Sequence, residues 1–206
     1  MIAEIFNFDD SVKNQINAPG FDSKKFENCE FESVSAQNGV DGQFYTFFYR
    51  SKNVFSNFYP SFFVAHGILF NCSEQYFMYQ KARYFNDLEI AAEILQNSDP
   101  ATIKSLGRKV KNFDVKKWDK VSISIMKTAN YYKFVQNPTL RAELFKTKGS
   151  TLAEASPRDT IWGIGFGMAN NNILDPKKWR GKNQLGFILT KLRDYLMEKP
   201  EFKHEC

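Results

Sequence analysis

The chain has 206 residues, of which 43% are hydrophobic and 16% aromatic, with 28 Lys and Arg, 23 Asp and Glu, three Cys and two His. This length is enough to build one domain with a full hydrophobic core. An odd number of cysteines without a C-x-x-C pair argues against a disulfide framework and a thiolate metal site, and two histidines argue against a multi-histidine centre. We therefore expect no metal and no cofactor, and any catalysis is expected to use carboxylates, lysine or hydroxyl groups.

The net charge of +5 permits a polyanionic partner, although such an excess more often serves only solubility. No apolar run approaches the roughly 20 residues of a membrane helix. The first ten residues contain acids where a secretory signal would need bases. We therefore expect a cytoplasmic protein with reduced thiols and no membrane partner.

Residues 9–43 are polar and show no sustained period, so residues 1–43 are predicted to form a partly ordered extension. The composition changes at Phe44, where an aromatic run as far as Tyr49 predicts a β-strand. Apolar residues on both sides of His66 and Gly67 then predict a hairpin. No later strand is evident from the sequence.

Helices are predicted for most of the remaining chain. The first five predicted starts have a capping residue, and the last helix shows a stripe of leucine and isoleucine at helical spacing. Residues 155–181, rich in Gly, Asn and Pro, are predicted to form a long functional loop. The pattern indicates an α+β single domain, predominantly helical, with a small N-terminal set of strands. The predicted helices begin at Asn71 with Glu74 completing a capping box, at Asn86-Asp87, at Asp99-Pro100 with Gly107 as the end, at Asp114, at Asn137-Pro138 with an end near Gly149, and near Leu185.

Two carboxylates and a lysine are the candidate chemical groups. Glu74 and Lys81 are two helical turns apart on one face, about 10 Å along the axis, a spacing that suits the two ends of a small ligand. The alternative is a solvent-facing helix with Glu74 as a capping residue. Asp159 precedes Trp162 and Gly163, a layout typical of a sugar or nucleotide site, for which the alternative is an ordinary turn.

Residues 104–120 form a basic tract, in which Arg108 follows the predicted helix-ending glycine. Solvated helix faces explain most such tracts, and phosphate contact is the alternative. Asn57 and Phe58 lie in a loop after the first predicted strand.

Several motifs occur in one order over residues 44–197. Together they resemble the NADAR family, also called the YbiA-like family, which implies a catalytic domain at 44–197 and a C-terminal tail at 198–206. The motifs are Phe48-Tyr49, Phe55-Ser56-Asn57-Phe58, the Ser73-Glu74 to Gln80-Lys81-Ala82 helix, Gly107-Arg108, Trp118, Lys133-Phe134 with Asn137, Glu154-Ala155-Ser156-Pro157, Asp159 with Trp162-Gly163-Ile164-Gly165, and Trp179 with Asn183 and Leu185-Gly186.

The resemblance implies a mainly helical α+β hydrolase of N-glycosidic bonds. Two activities are associated with the family: release of ADP-ribose from ADP-ribosylated guanine in DNA or RNA, and cleavage of ribosylamino-pyrimidine intermediates of riboflavin synthesis. The loop motifs look closer to the general type, which favours an ADP-ribose-bearing substrate. By the resemblance, the catalytic residues are Lys81, Asp159 and Glu74, and the substrate-binding residues are Asn57, Phe58, Arg108, Trp118, Trp162, Gly163 and Asn183.

In both substrates ribose C1 is bonded to an exocyclic amine, so the ring can open to an imine. Lys81 would then exchange with the base and form a Schiff base, Asp159 would transfer protons, and Glu74 would hold ribose hydroxyls or activate water. The rival mechanism uses the carboxylates with an oxocarbenium-like transition state. A non-catalytic ADP-ribose reader and a basic nucleic-acid-binding module are the alternatives to an enzyme.

Overall fold

A computed structural model describes residues 34–205. Residues 1–33, with Cys29, and Cys206 lie outside the described residues. Six α-helices and a few short strands within 34–205 confirm the predominantly helical α+β class. In chain order the elements are β1 (Ser35–Asn38), β2 (Phe44–Phe48), β3 (Phe63–Ala65), β4 (Ile68–Phe70), α1 (Ser73–Tyr84), α2 (Leu88–Gln96), α3 (Pro100–Arg108), α4 (Val115–Gln136), α5 (Pro138–Phe145), β5 (Thr151–Glu154) and α6 (Gln184–Met197), with 3-10 helices at Pro176–Lys178 and Pro200–Glu205.

The chain divides into two compact units. The described part of the first unit is residues 34–56 and 138–205, and that of the second is residues 57–137. No helix within the described range is long and apolar enough to cross a membrane.

The first unit is built on a three-stranded sheet in the order β1-β2-β5, with β2 antiparallel to β1 and parallel to β5. The strand predicted from the aromatic run is β2. The sequence did not predict β1, which lies in the stretch expected to be irregular, or β5. Both are four residues long, too short for a clear period-two pattern, and β5 pairs with residues about a hundred positions earlier.

The core of the first unit combines aromatic side chains of β2 with small residues of β5. Tyr45 and Phe47 pack with Ala153 and Phe166 in one buried cluster. Buried Arg193 of α6 donates hydrogen bonds to the carbonyl oxygens of Thr147 and Ser150, 2.6 and 2.7 Å away, which fixes the turn before β5. This packing holds the strand ends and the long loop in place.

The second unit contains the predicted hairpin and helices α1 to α4. The hairpin is confirmed: β3 and β4 pair antiparallel across a two-residue turn, in which His66 and Gly67 both have positive φ, 52° and 74°. Helix α1 is buried on most sides, since aromatic and apolar residues occur all round it. The predicted aspartate caps of α2, α3 and α4 are confirmed, since each carboxylate accepts a backbone N–H of its first turn, at Asp87, Asp99 and Asp114.

Three helix ends differ from the prediction. Helix α1 begins at Ser73 with Cys72, a buried free thiol, as its N-cap, so Asn71 is not the cap and Glu74 is not a capping-box residue. Gly107 lies inside α3, which runs to Arg108, because a Cβ at position 107 would collide with Met78. Helix α5 ends at Phe145 and a turn follows as far as residue 150.

Candidate functional site

Helix α1 of the second unit positions two predicted catalytic side chains, Glu74 and Lys81, two turns apart. Glu74 is 4% exposed and its backbone N–H donates to the carbonyl oxygen of Asn57, 3.0 Å away. The Asn57 side chain accepts a hydrogen bond from Asn130 of α4 at 3.3 Å. The structure therefore brings Asn57 to the first turn of α1, next to a buried carboxylate.

The Lys81 amine is held at the C-terminal end of α3. Its Nζ donates to the carbonyl oxygen of Gly107 at 2.9 Å and lies 3.9 Å from the centroid of the Phe113 ring. Burial lowers the pKa of Lys81, the charge of Arg108 lowers it further, and the Glu74 carboxylate raises it. The net effect is a pKa below the ordinary lysine value, which makes the neutral amine, the form that acts as a nucleophile, easier to reach.

The Phe113 ring beside the Lys81 amine belongs to a larger group of aromatic rings. We call Phe77, Tyr84, Phe85, Phe113 and Trp118 the aromatic cluster. The Trp118 ring lies 5.1 Å from Phe77 and 6.2 Å from Tyr84, and the Phe85 ring lies 5.3 Å from Phe113. Trp118 itself is buried, while Tyr84 and Phe113 are 45% and 44% exposed. The cluster thus reaches the surface beside a lysine, and exposed ring faces can stack on a planar base.

The other predicted contacts of the second unit are less enclosed. Phe58 is half-buried and its ring centroid lies 5.4 Å from the amine of Lys104. Arg108 is exposed at the last residue of α3, where its charge acts on Lys81. Both positions are compatible with the predicted ligand contacts.

Lys133 of α4 is a buried lysine that is not among the predicted site residues. It is fully buried, with its Nζ 5.7 Å from the Tyr59 ring centroid and 5.2 Å from that of Phe134. Burial lowers its pKa to about 7 and raises that of the neighbouring Cys72 thiol to about 11. The apolar residues on both sides of Lys133 in the sequence, from Tyr131 to Val135, are the feature that could have predicted its burial.

In the first unit, Asp159 begins the turn that carries Trp162. One carboxylate oxygen of Asp159 accepts the backbone N–H groups of Ile161 and Trp162, at 3.0 and 2.7 Å. A Cβ at Gly163 would crowd the carbonyl oxygen of Glu154 and the Ser156 side chain. The absence of a side chain at Gly163 therefore lets neighbouring segments of the chain pack closely. The sequence pattern instead predicted close approach of a ligand.

Asn183 lies at the N-terminus of α6 in a left-handed conformation, φ 49°. It is fully buried. Its Oδ1 accepts the backbone N–H of Glu154 and its Nδ2 donates to the carbonyl oxygen of Leu152, both at 3.0 Å. The amide thus ties α6 to β5, and both of its polar atoms are used within the fold.

The predicted site residues fall into two groups. Asn57, Phe58, Glu74, Lys81, Arg108 and Trp118 belong to the second unit, and Asp159, Trp162, Gly163 and Asn183 belong to the first. A joint action of Asp159 with Lys81 stays a prediction. Among residues 34–205, no group of three His, Cys, Asp or Glu side chains could hold a metal ion.

The sequence profile of the NADAR domain matches residues 44–197, which is most of the chain. The chain belongs to the NADAR family. This NADAR protein is 42% identical over 175 residues to protein irg-1 of Caenorhabditis elegans, an alignment that covers 77% of this chain and 82% of irg-1. It is 43% identical over 122 residues to an N-glycosidase of Acanthamoeba polyphaga mimivirus, covering 59% of this chain and 72% of the viral protein.

The fold of this NADAR protein is similar to the NMR structure of YbiA from Escherichia coli. The TM-score is 0.61 and the sequence identity 32%, with 74% of this chain and 84% of YbiA covered. A riboflavin biosynthesis protein of Vibrio vulnificus is 29% identical over 143 residues, which cover 69% of this chain and 35% of that protein. The predicted resemblance and fold class are confirmed.

Proposed function

We propose that this NADAR protein is an N-glycosidase that removes ADP-ribose from ADP-ribosylated guanine bases in nucleic acid or nucleotides. Hydrolysis of N-glycosyl bonds is the activity by which its relatives from mimivirus and E. coli are named. The finer substrate is supported by the loop motifs around Trp162, which look closer to the general NADAR type. The observation that carries the proposal is the setting of Lys81.

Lys81 combines the two properties that covalent amine catalysis needs. Its pKa is lowered by burial and by Arg108, so a neutral amine is more available than in an exposed lysine. It is also only half-buried, beside the surface edge of the aromatic cluster, where a base can approach. Lys133 also has a lowered pKa, but it is fully buried, so a substrate cannot reach it in this conformation.

The reaction follows from the chemistry of the aminal. Opening of the ribose ring breaks the bond between C1 and the ring oxygen, gives that oxygen a proton and leaves an imine between C1 and the guanine nitrogen. The Lys81 amine adds to C1, and the guanine amine leaves with a proton, so that a Lys81 imine remains. Water then adds to C1 and releases ADP-ribose, which restores the free amine. Glu74, two turns away on the same helix, would hold ribose hydroxyls or activate that water.

Cleavage of ribosylamino-pyrimidine phosphates is the second candidate function. It is favoured by the similarity to the riboflavin biosynthesis protein of V. vulnificus. Its substrate contains the same aminal linkage, so Lys81 would act in the same way. The two candidates differ only in the base and in the group attached to the ribose.

A turnover assay separates these functions. The purified chain is incubated with an oligonucleotide that carries ADP-ribosylated guanine and, separately, with the ribosylamino-pyrimidine phosphate. We expect free ADP-ribose and restored guanine from the first substrate. Turnover of the second substrate alone would replace the proposal with the riboflavin-type activity. Tight binding of the oligonucleotide without release of ADP-ribose would make the protein a reader.

Borohydride tests the role of Lys81 in the same assay. Reduction during turnover should convert the imine into a stable adduct that mass spectrometry locates on Lys81. The matched control is Lys120→Arg, which removes an exposed lysine of α4 and should leave the adduct unchanged. Turnover without any adduct on Lys81 would support the carboxylate mechanism with an oxocarbenium-like transition state.

A further inference from the structure

A half-open cleft lies in the first unit at the end of β2. Its volume is about 520 Å³, within the range of small-molecule sites. One wall is the chain from Phe47 to Arg50 with Asn53, and the other is the loop from Gly167 to Ala169. No predicted site residue lines this cleft.

The walls of the cleft are fixed by the core of the first unit. Phe47 of one wall and Phe166, which precedes the other, belong to the same buried cluster, and Tyr49 packs against it. The backbone N–H of Ala155 donates to the carbonyl oxygen of Phe48 at 2.8 Å, which holds the end of β2. The cleft is therefore largely preformed, which reduces the cost of ordering on binding.

Arg50 stands at the rim in an unusual backbone conformation. Its φ is 70°, in the left-handed region that a residue with a long side chain rarely adopts. The carbonyl oxygen of Arg50 accepts the N–H of Asn53 at 3.3 Å, which closes the turn. Within residues 34–205 its guanidinium makes no hydrogen bond or ion pair. Residues in sparsely populated backbone conformations cluster at functional sites.

The chemistry of the lining selects the kind of ligand. Arg50 is the charged group of the lining, and none of the described residues that line the cleft is acidic. A guanidinium matches phosphate oxygens in a bidentate geometry. Tyr49 and Met168 add a ring and a flexible apolar side chain, which suit a planar base. An anion with an attached planar group fits these properties better than a free sugar.

We infer that this cleft is a binding site for a phosphate-bearing ribonucleoside, with the Arg50 guanidinium on the phosphate. The inference concerns binding to the first unit alone and goes beyond the proposed hydrolysis. It requires no action of Lys81, so the binding test and the turnover assay can fail independently.

Calorimetric titration of the full chain with ADP and with adenosine tests the inference. The wild type should bind ADP more tightly than adenosine. Arg50→Gly removes the guanidinium and is free to adopt φ 70°, so it should lose about tenfold in ADP affinity while adenosine binding is unchanged. Its melting temperature should stay the same or rise, because the backbone strain is relieved. Arg50→Lys, which keeps the charge, should retain part of the ADP affinity.

A matched control separates a site from general electrostatics. Lys191→Gln removes one positive charge from the exposed face of α6 in the same unit and should leave ADP binding unchanged. An equal loss of affinity in Lys191→Gln and Arg50→Gly would overturn the inference. It would also be overturned if the wild type bound ADP no better than adenosine, or if Arg50→Gly bound ADP as the wild type does.

Discussion

Helix α1 of the second unit and the loop region of the first both contain polar residues predicted to act on a substrate, but the two regions use them differently. On α1, the Lys81 amine meets a single carbonyl oxygen and an aromatic ring, at the edge of a partly exposed cluster. In the loop region, the carboxylate of Asp159 accepts two backbone N–H groups and the amide of Asn183 links β5 to α6. The Lys81 amine thus lies at a partly exposed edge. The polar atoms of Asp159 and Asn183 instead form hydrogen bonds within the fold.

The difference shows that residue type does not separate a ligand contact from a structural contact. The loop has little regular secondary structure, so its buried backbone groups need side-chain partners. Asp and Asn supply them. The backbone of α1 satisfies itself through helical hydrogen bonds, so it does not need Glu74 or Lys81 as a partner. We therefore expect substitutions in α1 to change rates and those in the loop to change stability.

The largest expected effect is on catalysis. Lys81→Arg keeps the charge and the ring contact, but a guanidinium cannot form an imine. We expect kcat/KM for hydrolysis to fall on the order of 10³-fold, while the free energy of unfolding changes by less than about 1 kcal/mol. Single-turnover kinetics and urea unfolding measure the two quantities. A variant that keeps its rate would show that Lys81 acts only through its charge.

Asn183→Gly should give the largest loss of stability. Glycine can adopt φ 49°, so the change removes only the two hydrogen bonds to β5 and the packed amide. Burying an unsatisfied N–H and C=O is expected to lower the free energy of unfolding by about 2–4 kcal/mol in urea denaturation. Asn171→Gly, at an exposed loop position, is the control and should change it by less than about 0.5 kcal/mol. An unaltered stability with a raised KM would identify Asn183 as a ligand contact.

Lys133 should make the stability of the protein depend on pH. Its native pKa is about 7, against an ordinary value of 10.5 in the unfolded chain. Below pH 7 both states are charged and the cost of the buried charge is fully present. Above pH 7 the unfolded state binds more protons, so the free energy of unfolding should rise by up to about 1.4 kcal/mol per pH unit.

The useful window for this measurement is pH 7 to 9. Above pH 9 the unfolded Cys72 thiol ionises while its native pKa is about 11, and this effect offsets the rise that is due to Lys133. Urea unfolding across the window should show the rise in the wild type and a flat profile in Lys133→Met. The same rise in both proteins would assign it to another group.

The sequence predicted the helices better than the sheet for a physical reason. Helices are local, and the aspartates at 87, 99 and 114 mark their starts directly. The pairing of β5 with β2 depends on the closing of a long intervening chain, which no window of sequence reveals. Gly107 resembles a helix end in sequence, but its position inside α3 is explained by the close approach of Met78, which leaves no room for a Cβ.

The candidate site was predictable in part. The spacing of Glu74 and Lys81 placed them on one helix face, and the structure supplies the lowered pKa of the amine. Lys133 was passed over because a lysine inside a helix usually faces solvent, and only packing shows that it is buried. The positive φ of Arg50 could not be predicted from the sequence, since the turn after β2 sets its backbone conformation.

Asp159→Asn should have only a small effect on stability. The amide oxygen of asparagine can still accept the N–H groups of Ile161 and Trp162, so only the charge is lost. We expect the free energy of unfolding to fall by about 0.5–1 kcal/mol, compared with about 1–2 kcal/mol for Asp159→Ala, which removes the acceptor. A carboxylate that only shapes the turn predicts a small, parallel change in rate for both variants. A rate lowered about 10²-fold by Asp159→Asn with stability preserved would make Asp159 a proton carrier, since the amide keeps the turn and cannot transfer a proton.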